Sequence, residues 1–541
     1  MGRLDAMITR RQLMQTVGVG WFADQVLPDR PHISGRIVGT SCSVGHQLGH
    51  LTSPASSPPE RAEVVIVGSG VSGVSAAWRL NHAGIEPLML ELEPMAGGTS
   101  AWGTDGVVSY PWGAHYLPVP ERGARVTRRL LSELGVITGT DAAGRPQFDE
   151  EVLCHAPEQR LYFRGAWHEG LVPYAALSSH ERAEMERFRA LQHDLMGARG
   201  RDGRDRFAIP CEQSTRDQEI IELDRISMAE WLRRERFTSP FLWWYVGYGT
   251  RDDFGAELDD VSAWAALHYF GARKLRTEQL SGSRYLVWPA GLGWPLGRML
   301  ATLHGKLVSG ALVTAVAPLA KGGVEVTYLD VHQQRLARVH ARAAIVAAPA
   351  FITRRLLAGS LRSAAPALPR RTSSPWTVAN LHVTRPADAN RVWDTMIYDS
   401  LGLGTVDASH QLTTLGDRTV LSYYRSYGSP QVAAARAHLR RASWTTLASE
   451  VLNDLQQAQP ELGEQCSRID VMVWAHGMPR PRPGFLGPNP FQPASLLDRH
   501  VAWAHVDQTG FAIFEEANLH GVRAAEQIAD ALGASRGESW L

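Results

Sequence analysis

The amino-acid sequence predicts an α/β protein in which a parallel β-sheet is interleaved with a second, α+β domain. Three observations support this fold class. A run of β-branched residues at 64–67 leads into a glycine-rich turn and an apolar helix. Segments typical of the same sheet recur at 313–349 and at 501–507, and long inserts of mixed pattern separate the three blocks. The 541 residues suffice for such an arrangement, because a domain commonly takes about 150 residues.

The composition is that of a folded protein with balanced charge. Hydrophobic residues make up 44% of the chain, and Lys+Arg and Asp+Glu both number 55. A net charge of zero argues against broad electrostatic binding of nucleic acid or of an anionic lipid surface. No apolar stretch reaches the roughly 18 residues of a membrane-spanning helix. The four cysteines form no CxxC pair, so the sequence predicts neither a metal site nor a disulfide framework.

The N-terminus resembles an export signal. Thr9–Gln15 contains paired arginines followed by a polar and two apolar residues, as in the twin-arginine motif. Residues 1–50 are therefore predicted to be an export-signal-like segment that directs the protein to the periplasm. The alternative is an ordinary N-terminal helix in a cytoplasmic protein. The Ser- and Pro-rich stretch 51–62 then indicates a linker to the folded body.

The strongest motif follows the strand Val64–Val67. That strand runs directly into the sequence Gly-Ser-Gly-Val-Ser-Gly at 68–73, and a helix-like stretch with an apolar face comes next. The first glycine permits a tight turn, the second lets the backbone approach a diphosphate, and the third allows the helix to pack closely on the strand. N–H groups of the first helical turn would bind the anion. The predicted diphosphate-binding residues are Gly68, Gly70, Val71, Ser72 and Gly73.

A second strand, Pro87–Leu90, ends at Glu91, which lies 18 residues beyond Gly73. A carboxylate at this point can accept hydrogen bonds from both hydroxyls of an adenosine ribose. Strand, glycines, helix, strand and acid occur in the order of a Rossmann-like dinucleotide-binding unit. The pattern leaves NAD and FAD open as ligands.

Residues beyond Glu91 resemble one group of flavoproteins. The doublet Gly97–Gly98 and the stretch Pro111–Tyr116 are similar to segments of the superfamily of flavin-containing amine oxidases, protoporphyrinogen oxidases and carotenoid desaturases. The resemblance implies FAD as the cofactor, with the backbone of Gly113, Ala114 and His115 near the flavin. Thr99 stands where the superfamily usually has Arg or Lys, so a contact from that side chain is not expected.

The resemblance returns in two later blocks. Residues 313–327 and 343–349 are similar to the adenine-side strand, the β-meander and the exit strand of the superfamily's nucleotide domain. Residues 501–511 are similar to the block in which an acid approaches the ribityl and phosphate groups and a helix N-terminus faces the isoalloxazine ring. The further cofactor contacts implied are Val316, Asp507, Gly510 and Phe511. Glu515 and Glu516 stand where relatives often have one acid and a glycine, and their role stays open.

The three blocks predict an FAD-binding domain over 63–150, 285–360 and 490–541. The inserts 151–284 and 361–489 would form the α+β substrate domain. No second strand-linked GxGxxG motif follows, so we expect no domain for a nicotinamide cofactor, and the substrate itself would reduce the flavin.

Candidate catalytic residues are less clearly marked. Aromatic residues concentrate at 241–248 and 264–270 and predict a packed core or, alternatively, the apolar wall of a substrate cavity. Trp474 and His476 lie in a stretch that resembles a superfamily segment ending near the flavin. No metal site is predicted. The possible proton acceptors are His115, His268, His476, Asp252 and Asp253.

Lysine is rare in this chain, which has three lysines and 52 arginines. Amine oxidases of the superfamily commonly place a lysine near flavin N5, and the comparable strand at 373–379 has none, which disfavours an ordinary amine oxidase. The sequence predicts an FAD-dependent oxidoreductase that moves a hydride from a small organic substrate, apolar or amine, to flavin N5, with oxygen or a quinone as electron acceptor. Alternatives are a desaturase or isomerase on an apolar substrate, and a non-catalytic flavoprotein in which FAD stabilises a binding module.

Overall fold

The computed structural model describes residues 33–39, 42–48, 58–142, 144–274, 279, 283–384, 391–412, 417–428, 432–487 and 495–541. The twin-arginine-like stretch Thr9–Gln15 and residues 51–57 of the predicted linker lie outside the described residues. Within the described ranges, no helix is long and apolar enough to cross a membrane. The same ranges hold no group of three or more His, Cys, Asp or Glu side chains placed to bind a metal ion.

In the part of the chain that the structure describes, the strands form two large sheets and three small ones. In chain order the strands are β1 Ser34–Gly39, β2 Glu60–Val67, β3 Leu88–Leu90, β4 Trp102–Thr104, β5 Ser109–Pro111, β6 Tyr116–Pro118, β7 Ile137–Thr140, β8 Pro146–Phe148, β9 Gln159–Phe163, β10 Ala166–Glu169, β11 Tyr285–Val287, β12 Lys306–Val308, β13 Ala311–Pro318, β14 Val324–Asp330, β15 Arg335–Val346, β16 Thr372–Thr384, β17 Asp394–Ile397, β18 Gly404–Asp407, β19 Arg418–Ser426, β20 Cys466–Arg480 and β21 Val501–Trp503.

The α-helices pack against both large sheets. In chain order they are α1 Cys42–Gly45, α2 Val71–Asn81, α3 Arg125–Glu133, α4 Ser179–Gly197, α5 Gln218–Ile221, α6 Met228–Arg234, α7 Pro240–Phe254, α8 Ala263–Ala272, α9 Gly293–Thr302, α10 Ala350–Leu356, α11 Val432–Arg441, α12 Trp444–Leu455, α13 Leu462–Gln465 and α14 Phe514–Ala531.

A parallel sheet is the centre of the first domain. Strands β12, β3, β2, β15 and β21 lie side by side in that order, and each neighbouring pair is parallel. The N-terminal part of β15 also pairs with β14, and β14 pairs with β13, as an antiparallel meander. Residues 64–66 of β2 and 343–346 of β15 are buried on both faces, as a covered parallel sheet requires.

The two faces of this sheet carry different layers. Helices α2, α9 and α14 pack on one face, and the meander packs on the other. Helices α2 and α14 approach so closely that a Cβ at Gly521 would lie 2.2 Å from the carbonyl oxygen of Ser72. Their contact therefore requires glycine at 521, and it fixes the start of α2 relative to the C-terminal helix.

The second domain is built on a mixed sheet with the order β1-β20-β16-β19-β18-β17-β9-β10. Its strands β9, β10 and β16–β20 come from the inserts 151–284 and 361–489, and helices α4–α8 supply an aromatic core against one face. Helix α12 packs on the other face. Ser34–Gly39, inside the segment 1–50, forms the edge strand β1, which pairs in parallel with β20. The predicted α/β fold, a Rossmann-like parallel sheet with a meander interleaved with an α+β domain, is confirmed.

A buried ion pair joins α2 to α14. The guanidinium of Arg79 donates through Nε to Glu526 Oε1 at 2.9 Å, and their side chains are only 1% and 3% exposed. Glu526 also accepts hydrogen bonds from the backbone N–H of Trp540 at 2.9 Å and from the hydroxyl of Ser539 at 2.6 Å. The ring of Trp540 lies between the guanidinium groups of Arg79 and Arg129. The C-terminal residues of the chain thus pack against the last turn of α2, at the opposite end of the helix from the glycine-rich turn.

We expect Arg79→Met to destabilise the first domain by about 1.5–3 kcal/mol, because it removes a charge-assisted hydrogen bond to the buried Glu526 carboxylate and leaves Arg536, at 3.4 Å, as its counter-ion. Arg129→Met is the matched control. Arg129 stacks on the same indole but pairs with Glu133 at the surface, where an ion pair contributes only about 0–1 kcal/mol. Urea unfolding followed by tryptophan fluorescence measures both variants. Equal losses of stability in the two variants would contradict the role given to the buried pair.

Candidate active site

The glycine-rich turn between β2 and α2 contains glycines of two kinds. Gly68 has φ +97°, and a Cβ at Gly73 would lie 2.0 Å from the carbonyl oxygen of Gly68, so the fold itself requires both glycines. Gly70 differs, because its φ is −69° and the nearest atom to a Cβ there would be the Cα of Gly98 at 3.8 Å. Neither backbone conformation nor packing requires glycine at position 70. The close approach of a ligand to the backbone does explain it.

Two glycine turns lie side by side at the start of α2. Gly97 forms a parallel bridge with Gly70 and donates its N–H to the carbonyl of Ser69 at 3.0 Å. Gly98 has φ +54°, and Gly70 caps the helix without a side-chain hydrogen bond from the described residues. The first-turn N–H groups, those of Val71 and Ser72 among them, therefore have no intrahelical acceptor. An anion such as a diphosphate fits this cradle.

Glu91 lies beside the glycine turn at the carboxyl end of β3. One carboxylate oxygen accepts hydrogen bonds from the N–H and the hydroxyl of Ser69 at 2.8 and 2.6 Å, and the other accepts from the N–H of Glu93 at 2.8 Å. A carboxylate offers about four acceptor positions, so one is left for a ribose hydroxyl. The structure thus places Glu91 where a nucleoside joined to a diphosphate in the cradle would extend.

Residues 113–115 are held by the turn that follows the glycine doublet. A Cβ at Gly113 would lie 2.2 Å from the carbonyl oxygen of Thr99, and the N–H of Ala114 donates to that same oxygen at 2.9 Å. This contact explains the glycine and brings His115 to the boundary between the two domains.

Three successive carbonyls at this boundary accept hydrogen bonds from the second domain. The donors lie on three adjacent strands of its sheet, β16, β20 and β19. Asn380 donates to Pro111 at 3.0 Å, Trp474 to Trp112 at 2.7 Å and Tyr424 to Gly113 at 2.9 Å. The structure therefore brings the sequence candidate Trp474 to the stretch expected beside the flavin, and it adds Asn380 and Tyr424, which no sequence motif marks.

The C-terminal block completes the carboxyl edge of the parallel sheet. Asp507 follows β21 and accepts a hydrogen bond from the N–H of Ala350 at 2.8 Å. Burial alone would raise the pKa of Asp507, but His505 and the N–H of Ala350 hold that pKa below its ordinary value, so the carboxylate is ionised. Gly510 has φ +87°, and the ring of Phe511 lies buried 4.7 Å from that of His268. Since β2, β3 and β21 are parallel, Asp507 lies at the same edge as Gly68 and Glu91.

Val316 lies in the meander rather than at that edge. Its side chain is buried with Val65 and Val67 on the meander face of the sheet, and its carbonyl oxygen accepts a hydrogen bond from the N–H of Ala358 at 2.9 Å. The resemblance implies a cofactor contact at Val316, and any such contact through its carbonyl would have to share this oxygen.

Glu516 ties the N-terminal turn of α14 to the second domain. Its carboxylate accepts hydrogen bonds from the N–H of Cys211 at 2.6 Å and from the hydroxyl of Thr509 at 3.1 Å. Burial raises the pKa of both Glu515 and Glu516 to about 7. Glu516 therefore holds the segment around Cys211 against the helix that is expected to face the flavin.

A cluster of aromatic side chains packs next to His115 and holds a carboxylate by a hydrogen bond, and we call this cluster the aromatic chamber. Its ring centroids are separated by 4.6 Å for His115 and Tyr424, 5.1 Å for Tyr116 and Tyr285, and 5.4 Å for Tyr285 and Trp393. The carboxylate is that of Asp252, which accepts a hydrogen bond from the hydroxyl of Tyr116 at 3.3 Å. Burial, followed by the charge of Asp253, raises the pKa of Asp252 to about 7, yet the residue keeps accessible surface.

A second carboxylate lies beside the same chamber. Asp394 is buried beside Trp393 and accepts a hydrogen bond from the amide of Gln159 at 3.2 Å. Burial and, to a smaller extent, the charge of Asp252 raise the pKa of Asp394 to about 7. Sequence reasoning missed Asp394, and no motif in the insert 361–489 could have found it.

The other sequence candidates lie elsewhere. His268 is buried, bonds the carbonyl of Ala208 at 2.7 Å through Nε2 and stacks on Trp264, and burial lowers its pKa to about 3. His476 lies at an exposed position of β20 and contacts Ser373 and the ring of Phe351. Asp253 forms an ion pair with Arg273. The structure thus brings His115, Asp252 and Trp474 to one region, places His268 behind Phe511, and gives Asp253 and His476 other partners.

This fold and this site define a flavoprotein that binds a dinucleotide at the carboxyl edge of a parallel sheet. Gly70, the uncapped start of α2 and the free acceptor position of Glu91 all fit the diphosphate and ribose of FAD. A sequence model of the flavin containing amine oxidoreductases matches residues 71–529. The chain belongs to the flavin containing amine oxidoreductase family, and its cofactor is FAD.

Individual relatives are more distant. The flavin-containing monoamine oxidase named AofH, from Mycobacterium tuberculosis strain H37Rv, is 30% identical over 223 residues, which are 41% of this chain and 43% of that protein. The chain thus aligns with less than half the length of this relative. Putrescine oxidase bound to putrescine superposes with a TM-score of 0.61 at 16% identity, over 87% of this chain and 100% of that chain. Cyclohexylamine oxidase from Brevibacterium oxydans gives 0.59 at 15%, over 87% and 99%. Identities this low show the shared fold alone.

We expect Gly70→Val to fold normally and to bind FAD at least about tenfold more weakly. The fold leaves space for a side chain at this position, and the side chain would occupy the space above the cradle where the diphosphate is expected. Flavin absorbance per protein after dialysis, with circular dichroism as the check on folding, measures the effect. Gly139→Val, on β7 with no neighbour closer than 3.6 Å, is the control. Full flavin content in Gly70→Val would contradict the position given to the diphosphate.

Proposed function

We propose that the protein is an FAD-dependent oxidoreductase whose substrate is an amine. The observation that carries this proposal is the carboxylate of Asp252 inside the aromatic chamber beside His115. FAD held at the cradle of Gly70 and Glu91 would supply the acceptor for a hydride from the substrate carbon, with oxygen or a quinone as the final electron acceptor. The side chains of the chamber would bind the amine and remove its proton.

The chamber suits a cation better than an apolar molecule. Faces of aromatic rings attract a nearby ammonium group, and an ionised Asp252 would pair with it. A purely apolar substrate would bring no positive charge to Asp252 and Asp394, whose pKa values burial raises because it disfavours the charged forms. This argument favours an amine over the desaturase and isomerase alternatives.

Asp252 also has the properties of a proton acceptor. Its pKa of about 7 makes it a stronger base than an ordinary carboxylate, so it can take a proton from the ammonium nitrogen and leave the neutral amine from which a hydride can depart. Burial lowers the pKa of His115 to about 4, so this ring is uncharged at neutral pH and does not repel the cation. The chamber therefore binds the charged amine and removes its proton at one carboxylate.

The absence of a lysine on β16 leaves the electron acceptor open. Strand β16 spans Thr372–Thr384 without a lysine, and its polar side chain nearest the boundary is Asn380, bonded to the carbonyl of Pro111. An acceptor assay distinguishes the two choices. Hydrogen peroxide released in air indicates oxygen, and reoxidation only by an added quinone indicates a dehydrogenase.

Anaerobic mixing with a panel of primary amines and matched hydrocarbons tests the proposal. We expect at least one amine to bleach the flavin band and the hydrocarbons to leave it unchanged. Because Asp252 must be ionised to act, kcat/KM should rise with pH through about 7.

Asp252→Asn should lower kcat/KM by about 10²-fold or more and remove this pH dependence. Asp259→Asn, at an exposed aspartate on the surface, is the control and should behave as the unaltered protein. If only the hydrocarbons bleach the flavin band, the desaturase alternative is favoured. A flavin that no compound reduces would favour a non-catalytic binding protein.

We further propose that the chain is exported to the periplasm by the twin-arginine route, on the basis of Arg10 and Arg11 within Thr9–Gln15. Replacing both arginines by lysine should keep the flavoprotein in the cytoplasmic fraction, as judged by immunoblots of fractionated cells. An unchanged distribution between fractions would argue for a cytoplasmic protein.

A further inference from the structure

We propose that the protein has a second ligand site, separate from the flavin, which binds a phosphate group. The site is a cavity of about 760 Å³ between α14 and the irregular segment 198–216. Four arginines line it, Arg199, Arg204 and Arg216 from the segment and Arg523 from α14. We call it the arginine pocket.

The charge of the pocket is positive after its internal pairs are counted. Its two carboxylates are already engaged, since Asp205 accepts an ion pair from Lys274 at 2.8 Å and Glu212 from Arg523 at 2.5 Å. The guanidinium of Arg204 donates to the backbone carbonyl of Glu212 at 3.4 Å and also lies within the electrostatic influence of Asp202, but it forms no ion pair among the described residues. Within the described ranges Arg216 has no carboxylate partner. At least two guanidinium groups are therefore available to an anion.

The segment that carries these arginines is internally cross-linked. Asp202 accepts hydrogen bonds from the backbone N–H groups of Arg204 at 3.1 Å and Arg216 at 3.0 Å, and from the hydroxyl of Thr215 at 2.8 Å. A Cβ at Gly200 would lie 1.9 Å from the hydroxyl oxygen of Thr215, so the loop closes tightly. The Asp202 carboxylate thus fixes the backbone at both Arg204 and Arg216, which are far apart along the segment.

Arg523 anchors the floor of the pocket. Its side chain is only 12% exposed and is oriented by Glu212 on the neighbouring segment. Guanidinium groups held in a fixed arrangement recognise the oxygens of phosphate through paired, charge-assisted hydrogen bonds. The volume of the pocket exceeds that of inorganic phosphate, so it admits either the free ion or a small organic phosphate.

The FAD-saturated protein, titrated calorimetrically at constant ionic strength, provides the test. The probes are inorganic phosphate, glucose 6-phosphate and AMP, with chloride as the reference anion. We expect saturable binding of one phosphate compound per chain. Binding of inorganic phosphate identifies the free ion as sufficient, whereas binding of the organic compounds alone shows that the rest of the ligand contributes.

The double variant Arg204→Gln/Arg216→Gln should weaken that binding at least about tenfold, because it removes the unpaired guanidinium groups but leaves the buried pair of Arg523 and Glu212 intact. Arg201→Gln/Arg225→Gln carries the same change in net charge. These exposed arginines pair with Glu219 and Glu222 outside the pocket, so the affinity should be unchanged. The absence of saturable binding by any probe, or equal affinity in the two double variants, would overturn the proposal. Neither result bears on the amine oxidation proposed above.

Discussion

Close backbone packing at the first turn of α2 is the constraint on which the cofactor site depends. Gly73 lies against the carbonyl of Gly68, and Gly521 of α14 lies against the carbonyl of Ser72. These contacts set the direction in which the helix N-terminus points, at the edge where β2, β3 and β21 end. The ion pair of Arg79 and Glu526 holds the same two helices together further along. The fold thus fixes the diphosphate cradle through main-chain contacts, and glycine is the residue that permits them.

The second constraint is the boundary between the domains. Three successive carbonyls at 111–113 accept side-chain donors from three adjacent strands of the other sheet. Through this boundary the first domain, which supplies the cradle, also supplies His115, Tyr116 and Tyr285 to the chamber. The second domain supplies Trp393 and Tyr424. Asp252, from α7, completes the chamber by its bond to Tyr116. The hydrogen bonds at residues 111–113 therefore hold the cofactor cradle and the proposed substrate chamber in a fixed arrangement.

The sequence was informative wherever spacing along the chain determines structure. The strand, the glycine turn, helix α2 and Glu91 are contiguous in sequence, and residues 71–81 and 88–90 form the predicted helix and strand. The chamber was not predictable in this way. Tyr424 and Asp394 reach it through antiparallel pairing of strands within a long insert, and no local pattern encodes that pairing. The strand Ser34–Gly39 was likewise hidden inside a segment interpreted as a signal, because its partner β20 lies more than 400 residues away in the sequence.

The three hydrogen bonds at the boundary have a consequence for movement. A hinge between the two domains would have to break all of them together, and each involves a largely enclosed backbone carbonyl whose loss of a donor is costly. We therefore expect the two domains to move as a single body around the chamber. A substrate would then reach Asp252 through local displacement of side chains and irregular segments, on the timescale of loop motion rather than of domain opening.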